Sequence, residues 1–168
     1  MRFLDVGSGT DSPYHLFLKG SNVIHIDICK HAFHVEVVAD AHYLPFSEDV
    51  FDIVHASHIL EHVENPYKVV GELKRVSKRR VIIKVPNEAC YGKFKCSSKG
   101  HIYGWNVFTF RNLLERHFST VQILRKNRIA PKKKFEKLKV LLLNLLTRER
   151  NELIAVCETE SGKSRGKH

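Results

Sequence analysis

The chain has 168 residues, and its 28 Lys and Arg outnumber its 18 Asp and Glu, which gives a formal net charge of +10 at pH 7. This length, with a hydrophobic fraction of 43%, is typical of a single globular domain and excludes an intrinsically disordered chain. No apolar run approaches the roughly 20 residues of a membrane span, and no signal peptide precedes the first strand, so a cytoplasmic protein is expected.

The positive charge is concentrated late in the chain. Residues 111–150 hold 12 Lys and Arg against 3 Asp and Glu, whereas residues 1–110 are nearly balanced. A local excess of this kind suits an anionic partner such as RNA, an acidic protein or a phosphorylated metabolite. It equally suits a solvated basic face that aids solubility, and the sequence leaves both interpretations open.

The four cysteines predict reduced thiols. They form no C-x-x-C pair, and Cys90 and Cys96 with His101 match no common zinc spacing. We therefore expect no metal site.

A glycine turn follows the first strand. Phe3–Val6 is a short apolar strand that contains Asp5, and Gly7 and Gly9 come directly after it. Because glycine lacks a Cβ, such a turn lets the backbone approach a ligand closely. A dinucleotide-binding loop would place a third glycine at Ser12, and Asp5 would repel an incoming pyrophosphate. A cationic ligand without phosphate suits this turn better, and a tight turn without any ligand is the alternative.

The next strand ends on a second acid. Val23–Asp27 is a buried strand, and Asp27 follows the glycine turn by about 20 residues. An acid at the carboxyl end of this strand is placed to accept hydrogen bonds from two ribose hydroxyls. Asp27 therefore supports an adenosine cofactor without choosing between a dinucleotide and another adenosine compound.

Strands and helices alternate through the rest of the chain. Further strands are predicted at residues 35–38, 49–56, 80–86, 121–124 and 153–157, and helices at 13–19, 66–76, 110–117 (capped by Thr109) and 135–146. This alternation predicts an α/β protein with a doubly wound, mostly parallel sheet, whose ligands lie outside the carboxyl ends of its strands. Polar residues fall at four such ends, at Asp5, Asp27, Asp40 and Ser57.

The middle of the chain carries a more specific pattern. Residues 40–46 read D-A-x-x-L-P-F, residues 51–54 read F-D-x-V, and residues 61–66 read E-H-V-x-x-P. Together with D-x-G-x-G at residues 5–9, this order and spacing resembles the widespread class I S-adenosylmethionine-dependent methyltransferases of the type 11 kind. The resemblance spans residues 3–86. It implies a Rossmann-like sheet of seven strands with an antiparallel final hairpin, S-adenosylmethionine as cofactor and S-adenosylhomocysteine as product.

The resemblance also implies which residues contact the cofactor. Those residues are Asp5, Gly7 and Gly9 facing the methionine moiety, Asp27 holding the ribose, Ile28, Asp40 and Ala41 at the adenine, and Ser57 near the methionine end.

Methyl transfer needs positioning and, for a protonated acceptor, a base. Histidine titrates near neutral pH, so His58, His62 and His101 are the candidate catalytic residues, with a capping, core or surface role as the alternative for each. His58 and His62 lie four residues apart and would share one face if this segment were helical. The expected acceptor is an oxygen or nitrogen of a small molecule or of RNA, since motifs typical of enzymes that act on exocyclic base amines or pyrimidine carbon are missing.

A single domain is expected over residues 1–158, with a basic, leucine-rich insertion at 131–150 and a disordered tail at 159–168. Because no helix precedes the first strand, the cofactor cleft is expected to be open. Its closure would come from the loop at 87–107, from the insertion, or from a second subunit of a homodimer.

The loop at 87–107 carries Tyr91, Tyr103 and Trp105, which are predicted to stack a base or enclose a metabolite. The basic segment at 125–139 supports a second function class. In this alternative the chain is a non-catalytic or weakly active module that binds RNA or a protein partner through that segment.

Overall fold

The computed structural model describes residues 1–9, 22–30, 35–87, 100–125 and 152–160. Predictions outside these residues are the helices at 13–19 and 135–146, the insertion at 131–150, Tyr91, residues 126–139 of the basic segment and residues 161–168 of the tail. Among the described residues, no helix is long and apolar enough to cross a membrane.

Seven strands of the described part of the chain form one sheet, in the order β3-β2-β1-β4-β5-β7-β6. They are β1 (Arg2–Val6), β2 (Asn22–Asp27), β3 (Val37–Val38), β4 (Phe51–Ser57), β5 (Ser77–Pro86), β6 (Thr120–Arg125) and β7 (Glu152–Glu158). Strands β1 to β5 pair in parallel, whereas β7 runs antiparallel to both β5 and β6. The predicted fold class, a mostly parallel sheet with an antiparallel final hairpin, is confirmed.

The central strands are apolar because both faces of the sheet are covered. Val54 and Ala56 on β4 and Val81, Ile83 and Val85 on β5 are all buried. Near-continuous runs of this kind are typical of a parallel sheet in an α/β protein. The carboxyl ends of β1, β2 and β4 consequently meet at one edge, which is where the polar residues of the sequence pattern lie.

The first described helix, α1 (Pro66–Val76), begins where predicted. The Asn65 side chain accepts a hydrogen bond of 3.0 Å from the Lys68 amide, and Pro66 occupies the first turn. Its buried face packs on β4 and β5. The amphipathic helix predicted from residue spacing is therefore confirmed.

The second described helix, α2 (Val107–Glu115), begins earlier than predicted, and Thr109 is not its N-cap. Asn106 caps the helix by accepting from the amides of Phe108 and Thr109. The Thr109 hydroxyl accepts in return from the Asn106 amide at 3.0 Å, which completes a capping box. Thr109 is thus the third residue of the helix.

Strand β3 is shorter than the predicted run at 35–38. Only Val37 and Val38 pair with β2. The amide of His25 on β2 finds its partner in the Glu36 carboxylate, at 2.6 Å, where a longer β3 would have supplied a carbonyl. A side chain thus completes the hydrogen bonding of β2 beyond its short partner strand.

The loop between β3 and β4 is fastened to α1. The Arg75 guanidinium donates to the carbonyls of Phe46, at 2.7 Å, and Leu44, at 3.0 Å. It also bonds the Glu72 carboxylate, which accepts from the Leu44 amide at 2.8 Å. These contacts position the segment that begins at Asp40.

Candidate active site

The turn after β1 is closed onto β2 by backbone hydrogen bonds. The amides of Gly7 and Ser8 both donate to the Ile26 carbonyl, at 2.8 and 3.1 Å. The Gly9 amide then donates to Oδ2 of Asp27 at 3.0 Å, and Oδ1 accepts from the Cys29 amide at 2.8 Å. The Asp27 carboxylate is thereby oriented at the edge of the sheet, and each oxygen keeps a lone pair for another donor.

The two glycines of the turn serve different purposes. Both have a positive φ, +71° at Gly7 and +56° at Gly9, which L side chains rarely adopt. A Cβ on Gly7 would lie 2.7 Å from Cγ1 of Ile59, so any side chain at this position would displace Ile59. A Cβ on Gly9 would meet no atom of the described residues within 4 Å. Within the part of the chain that the structure describes, the turn is therefore packed at Gly7 and open at Gly9, where a ligand has room to approach.

The predicted adenine-binding residues lie beside Asp27. The Ala39 amide donates to the Asp27 carbonyl at 3.0 Å, which brings Asp40 to the same edge. The backbone amide and Nδ1 of His42 both donate to the Asp40 carboxylate. The hydrogen bond from the amide is the main cause that lowers the pKa of this carboxyl. Ile28 is 73% exposed, and Ala41 is half-buried. An ionised acceptor and an exposed apolar side chain thus flank Asp27.

Asp5 is engaged inside the sheet. Only 4% of this residue is exposed, and its carboxylate lies between two histidines of the neighbouring strands. Nδ1 of His25 on β2 lies 3.1 Å from Oδ2, and Nδ1 of His55 on β4 lies 2.8 Å from Oδ1. The hydrogen bond that His25 donates to Asp5 raises the pKa of His25. Sequence reasoning missed both histidines, and contact of Asp5 with the methionine moiety stays a prediction.

His58 follows Ser57, a half-buried residue at the carboxyl end of β4, in a turn and not in a helix. Its φ is +55°, which a right-handed helix does not accommodate. Its Nδ1 donates to Oε1 of Glu61 and its Nε2 to Oε1 of Glu152, each at 3.0 Å. Lys84 lies 2.5 Å from the same Glu152 oxygen. Two buried carboxylates and two cations therefore form a cluster, with His58 half-buried, that sequence reasoning did not foresee.

This cluster decides the charge of His58. The hydrogen bond to Glu152, followed by the bond to Glu61, raises the pKa of His58 to about 9. The imidazolium form predominates at neutral pH, and it has no lone pair with which to accept a proton. The environment of His58 thus argues against a general-base role.

The other two candidate histidines lie together on the far side of Glu61. The rings of His62 and His101 stand edge to face with centroids 4.7 Å apart. Nδ1 of His62 donates to the Gly100 carbonyl at 3.0 Å, and the Glu61 carbonyl accepts from the Ile102 amide at 2.7 Å. All three predicted histidines therefore surround Glu61. The E-H pair at Glu61 and His62 was the sequence signal that could have identified Glu61 as part of the site.

Of the aromatic side chains predicted to stack a base or enclose a metabolite, Trp105 lies in the core, whereas Tyr103 is 36% exposed and its role stays a prediction. Trp105 is only 5% exposed and packs against Phe110, with ring centroids 6.0 Å apart. Tyr103 stacks on Trp105, and its hydroxyl donates to the Glu64 carbonyl. Trp105 is thus part of the core, since its ring is shielded by the protein itself.

This strand order, with a glycine turn after β1, an acid at the end of β2 and another after β3, is the α/β fold of solved S-adenosylmethionine-dependent methyltransferases. Residues 4–83 match a family model described as a methyltransferase domain. This match covers 80 of the 168 residues and confirms the resemblance drawn from the motifs of that segment.

Two curated relatives from Methanocaldococcus jannaschii match about half of this chain. MJ1123 of Methanocaldococcus jannaschii, an uncharacterized protein, is 35% identical over 86 residues, which are 46% of this chain and 40% of the relative. The chain spans about two fifths of the length of the curated relatives that it matches.

Two solved structures share the fold at low sequence identity. A methyltransferase from Archaeoglobus fulgidus superposes with a TM-score of 0.62 at 21% identity, covering 94% of this chain and 86% of that one. The phosphoethanolamine N-methyltransferase 2 of Haemonchus contortus, solved with S-adenosylmethionine, has a TM-score of 0.65 at 14% identity, covering 95% and 48%. At sequence identities this low, the structural similarity establishes the fold alone.

Proposed function

We propose that the chain binds S-adenosylmethionine at the edge formed by β1, β2 and β4 and transfers its methyl group to an oxygen or nitrogen acceptor. The observation that carries the proposal is the Asp27 carboxylate, held by the Gly9 and Cys29 amides beside an open glycine turn. A carboxylate so placed accepts hydrogen bonds from ribose hydroxyls. Its bonds to two backbone amides fix its orientation before the cofactor arrives.

The remaining edge residues suit the other parts of the cofactor. Ile28 offers an exposed apolar surface for the adenine, and Asp40 offers an ionised acceptor for its exocyclic amine. The open space at Gly9 suits the methionine moiety, because a Cβ there would intrude on it. Ala41 and Ser57 complete the predicted contacts at the two ends. The residues present thus fit this cofactor.

The bound cofactor would supply a methyl group on a sulfonium, which is activated by its own charge. The protein's task is then to align the acceptor and to exclude competing water. His58 is held as an imidazolium between two buried glutamates, so it acts as a fixed cation at the end of β4 and not as a base. Proton transfer by His62 or His101 stays a prediction.

The acceptor class is proposed from charge. The excess of Lys and Arg over residues 111–150 favours an anionic acceptor, either an RNA or a phosphorylated small molecule. Reduced cysteines and the metabolic source of the cofactor suit a cytoplasmic protein. A second copy that covers the cleft is a further prediction.

The experiment is transfer of a labelled methyl group from S-adenosylmethionine to a lysate separated into RNA, protein and metabolite fractions. The wild-type protein should label one fraction, and Asp27→Asn should label it much less. Glu158→Gln, at the opposite end of the sheet, is the matched control and should behave as wild type. If no fraction is labelled while the protein still binds RNA, the non-catalytic module replaces the enzyme.

A further inference from the structure

We propose that Glu61, His62 and His101 form a binding site for a divalent transition-metal ion of the zinc class. One ligand atom from each residue lies within 4.8 Å of the others. Two imidazoles and one carboxylate are a donor set that suits Zn²⁺, Fe²⁺, Co²⁺ and Ni²⁺, whereas Mg²⁺ and Ca²⁺ prefer oxygen alone. The site would leave coordination positions open for water or a substrate atom.

His62 has the hydrogen-bond partner that a metal-binding histidine usually has. Its Nδ1 donates to the Gly100 carbonyl at 3.0 Å, so the proton is on Nδ1 and the lone pair is on Nε2. Metal-bound histidines almost always donate their second ring nitrogen to a carbonyl, a carboxylate or water, since this fixes the tautomer and the ring. The structure provides this bond before any ion binds.

Glu61 contributes the second, independent observation. This residue is fully buried at 0% exposure, and its Oε1 accepts from His58. Its Oε2 is also buried and has no hydrogen-bond partner in the part of the chain that the structure describes. A buried carboxylate oxygen without a donor is unfavourable, because desolvation is not offset. A metal ion on Oε2 would remove that penalty.

Backbone hydrogen bonds hold His101, the third proposed ligand, close to Glu61 and His62. The Glu61 carbonyl accepts from the amides of Ile102 and Tyr103, at 2.7 and 3.3 Å. Gly100, with a φ of +97°, allows the chain to turn so that its carbonyl meets His62. His101 is therefore fixed between two anchored neighbours, and its ring lies against that of His62.

Metal binding would draw these groups together. Zinc ligands lie about 2.1 Å from the ion, so tetrahedral ligand atoms are about 3.4 Å apart, and no pair of ligand atoms would need to approach by more than about 1.4 Å. The turn that carries Glu61 and His62 also holds Ile59, whose side chain packs on Gly7. The proposed ion would thus lie at the turn that follows β4, and Ile59 of this turn contacts the glycine turn.

The test is a titration of the full chain with Co²⁺ alone, followed by visible absorption. One Co²⁺ should bind per chain with a d–d band, and Zn²⁺ should displace it. His62→Asn keeps an amide that donates to the Gly100 carbonyl and loses Nε2, so it should fold normally and bind Co²⁺ at least about tenfold more weakly. His101→Asn should do the same, and His117→Asn, outside the cluster, should bind as wild type.

Several outcomes would overturn the site. They are wild-type Co²⁺ affinity in a folded His62→Asn or His101→Asn protein, absence of Co²⁺ binding by the wild type, and a strong thiolate-to-cobalt band. The last result would assign the ion to cysteines. None of these readouts depends on methyl transfer, so the metal site and the proposed function succeed or fail separately.

Discussion

The Gly9 amide and the Asp27 carboxylate, 18 residues apart in the chain, are joined by a hydrogen bond of 3.0 Å. This bond links the turn after β1 to the end of β2, so one side chain both supports the turn and faces the proposed ribose site. The same carboxylate also accepts from the Cys29 amide, which fixes it from the other side. A substitution at Asp27 can therefore alter the stability of the turn, the affinity for the ligand, or both, and the two effects can be measured separately.

Asp27→Asn should weaken the binding of S-adenosylhomocysteine about tenfold, or about 1.4 kcal/mol, because a charged acceptor of two ribose hydroxyls is lost. The asparagine carbonyl can still accept from the Gly9 amide, so the free energy of unfolding should change little. Isothermal titration calorimetry and chemical denaturation measure the two quantities. Unchanged affinity in Asp27→Asn would remove Asp27 from the site, and Glu158→Gln serves as the control.

Alanine at the two glycines of the turn should have different effects. Gly7→Ala should destabilise the fold by about 3 kcal/mol, since the positive φ and a contact with Ile59 add together. Gly9→Ala should lower stability by only about 1 kcal/mol and should weaken cofactor binding. Chemical denaturation measures the stability of the two variants, and titration calorimetry measures their affinity for the cofactor.

The cause of the Gly7 effect can be tested separately. Ile59→Ala removes the side-chain atoms closest to a Cβ at residue 7, so it should offset part of the loss in a double mutant. Strict additivity of the two changes would show that Ile59 is not the cause.

Arg75→Lys should destabilise the protein by about 1–3 kcal/mol. Lysine keeps the charge and cannot reproduce the bonds to the Leu44 and Phe46 carbonyls and to Glu72 together. Arg111→Lys is the matched control: its exposed pair with Glu115 should contribute less than about 0.5 kcal/mol. Thermal denaturation compares the two variants. Equal shifts in melting temperature would show that Arg75 does not anchor the loop between β3 and β4.

The buried pair of His25 and Asp5 should make stability depend on pH. The hydrogen bond to Asp5, aided by the charge of Glu36, raises the pKa of His25 above its usual value of about 6.5. Its contribution is therefore complete below about pH 6.5 and is lost as the pH rises through the folded-state pKa.

His25→Asn keeps a donor for Asp5 without a titrating proton. The difference in unfolding free energy between wild type and this variant should shrink as the pH rises above about 6.5. A difference that stays constant across this range would show that His25 does not titrate on folding.

The strands and the sheet edge were predictable because their signals are local. Apolar runs ending in Asp27 and Ser57, and the run around Asp5 that leads into the glycine turn, predict both the strands and the shared edge of their carboxyl ends. The turn at 58–62 was harder to predict from the sequence, because His58 and His62 have helical spacing. The positive φ of His58, which excludes a helix, is visible only in the structure.

The polar clusters arise from long-range register, which leaves no local pattern. His58 and Glu152 are 94 residues apart, and the antiparallel pairing of β7 with β5 brings them together. Asp5 meets His25 and His55 because the three occupy one register line across β2, β1 and β4. Residue types alone do not reveal these partners.

Titration calorimetry with S-adenosylmethionine, S-adenosylhomocysteine and NAD⁺ under the same conditions tests the central claim most directly. The first two should bind one per chain and compete with each other, and NAD⁺ should not bind, because no third glycine completes a pyrophosphate loop. Binding of NAD⁺ without binding of either sulfur compound would contradict the methyltransferase assignment.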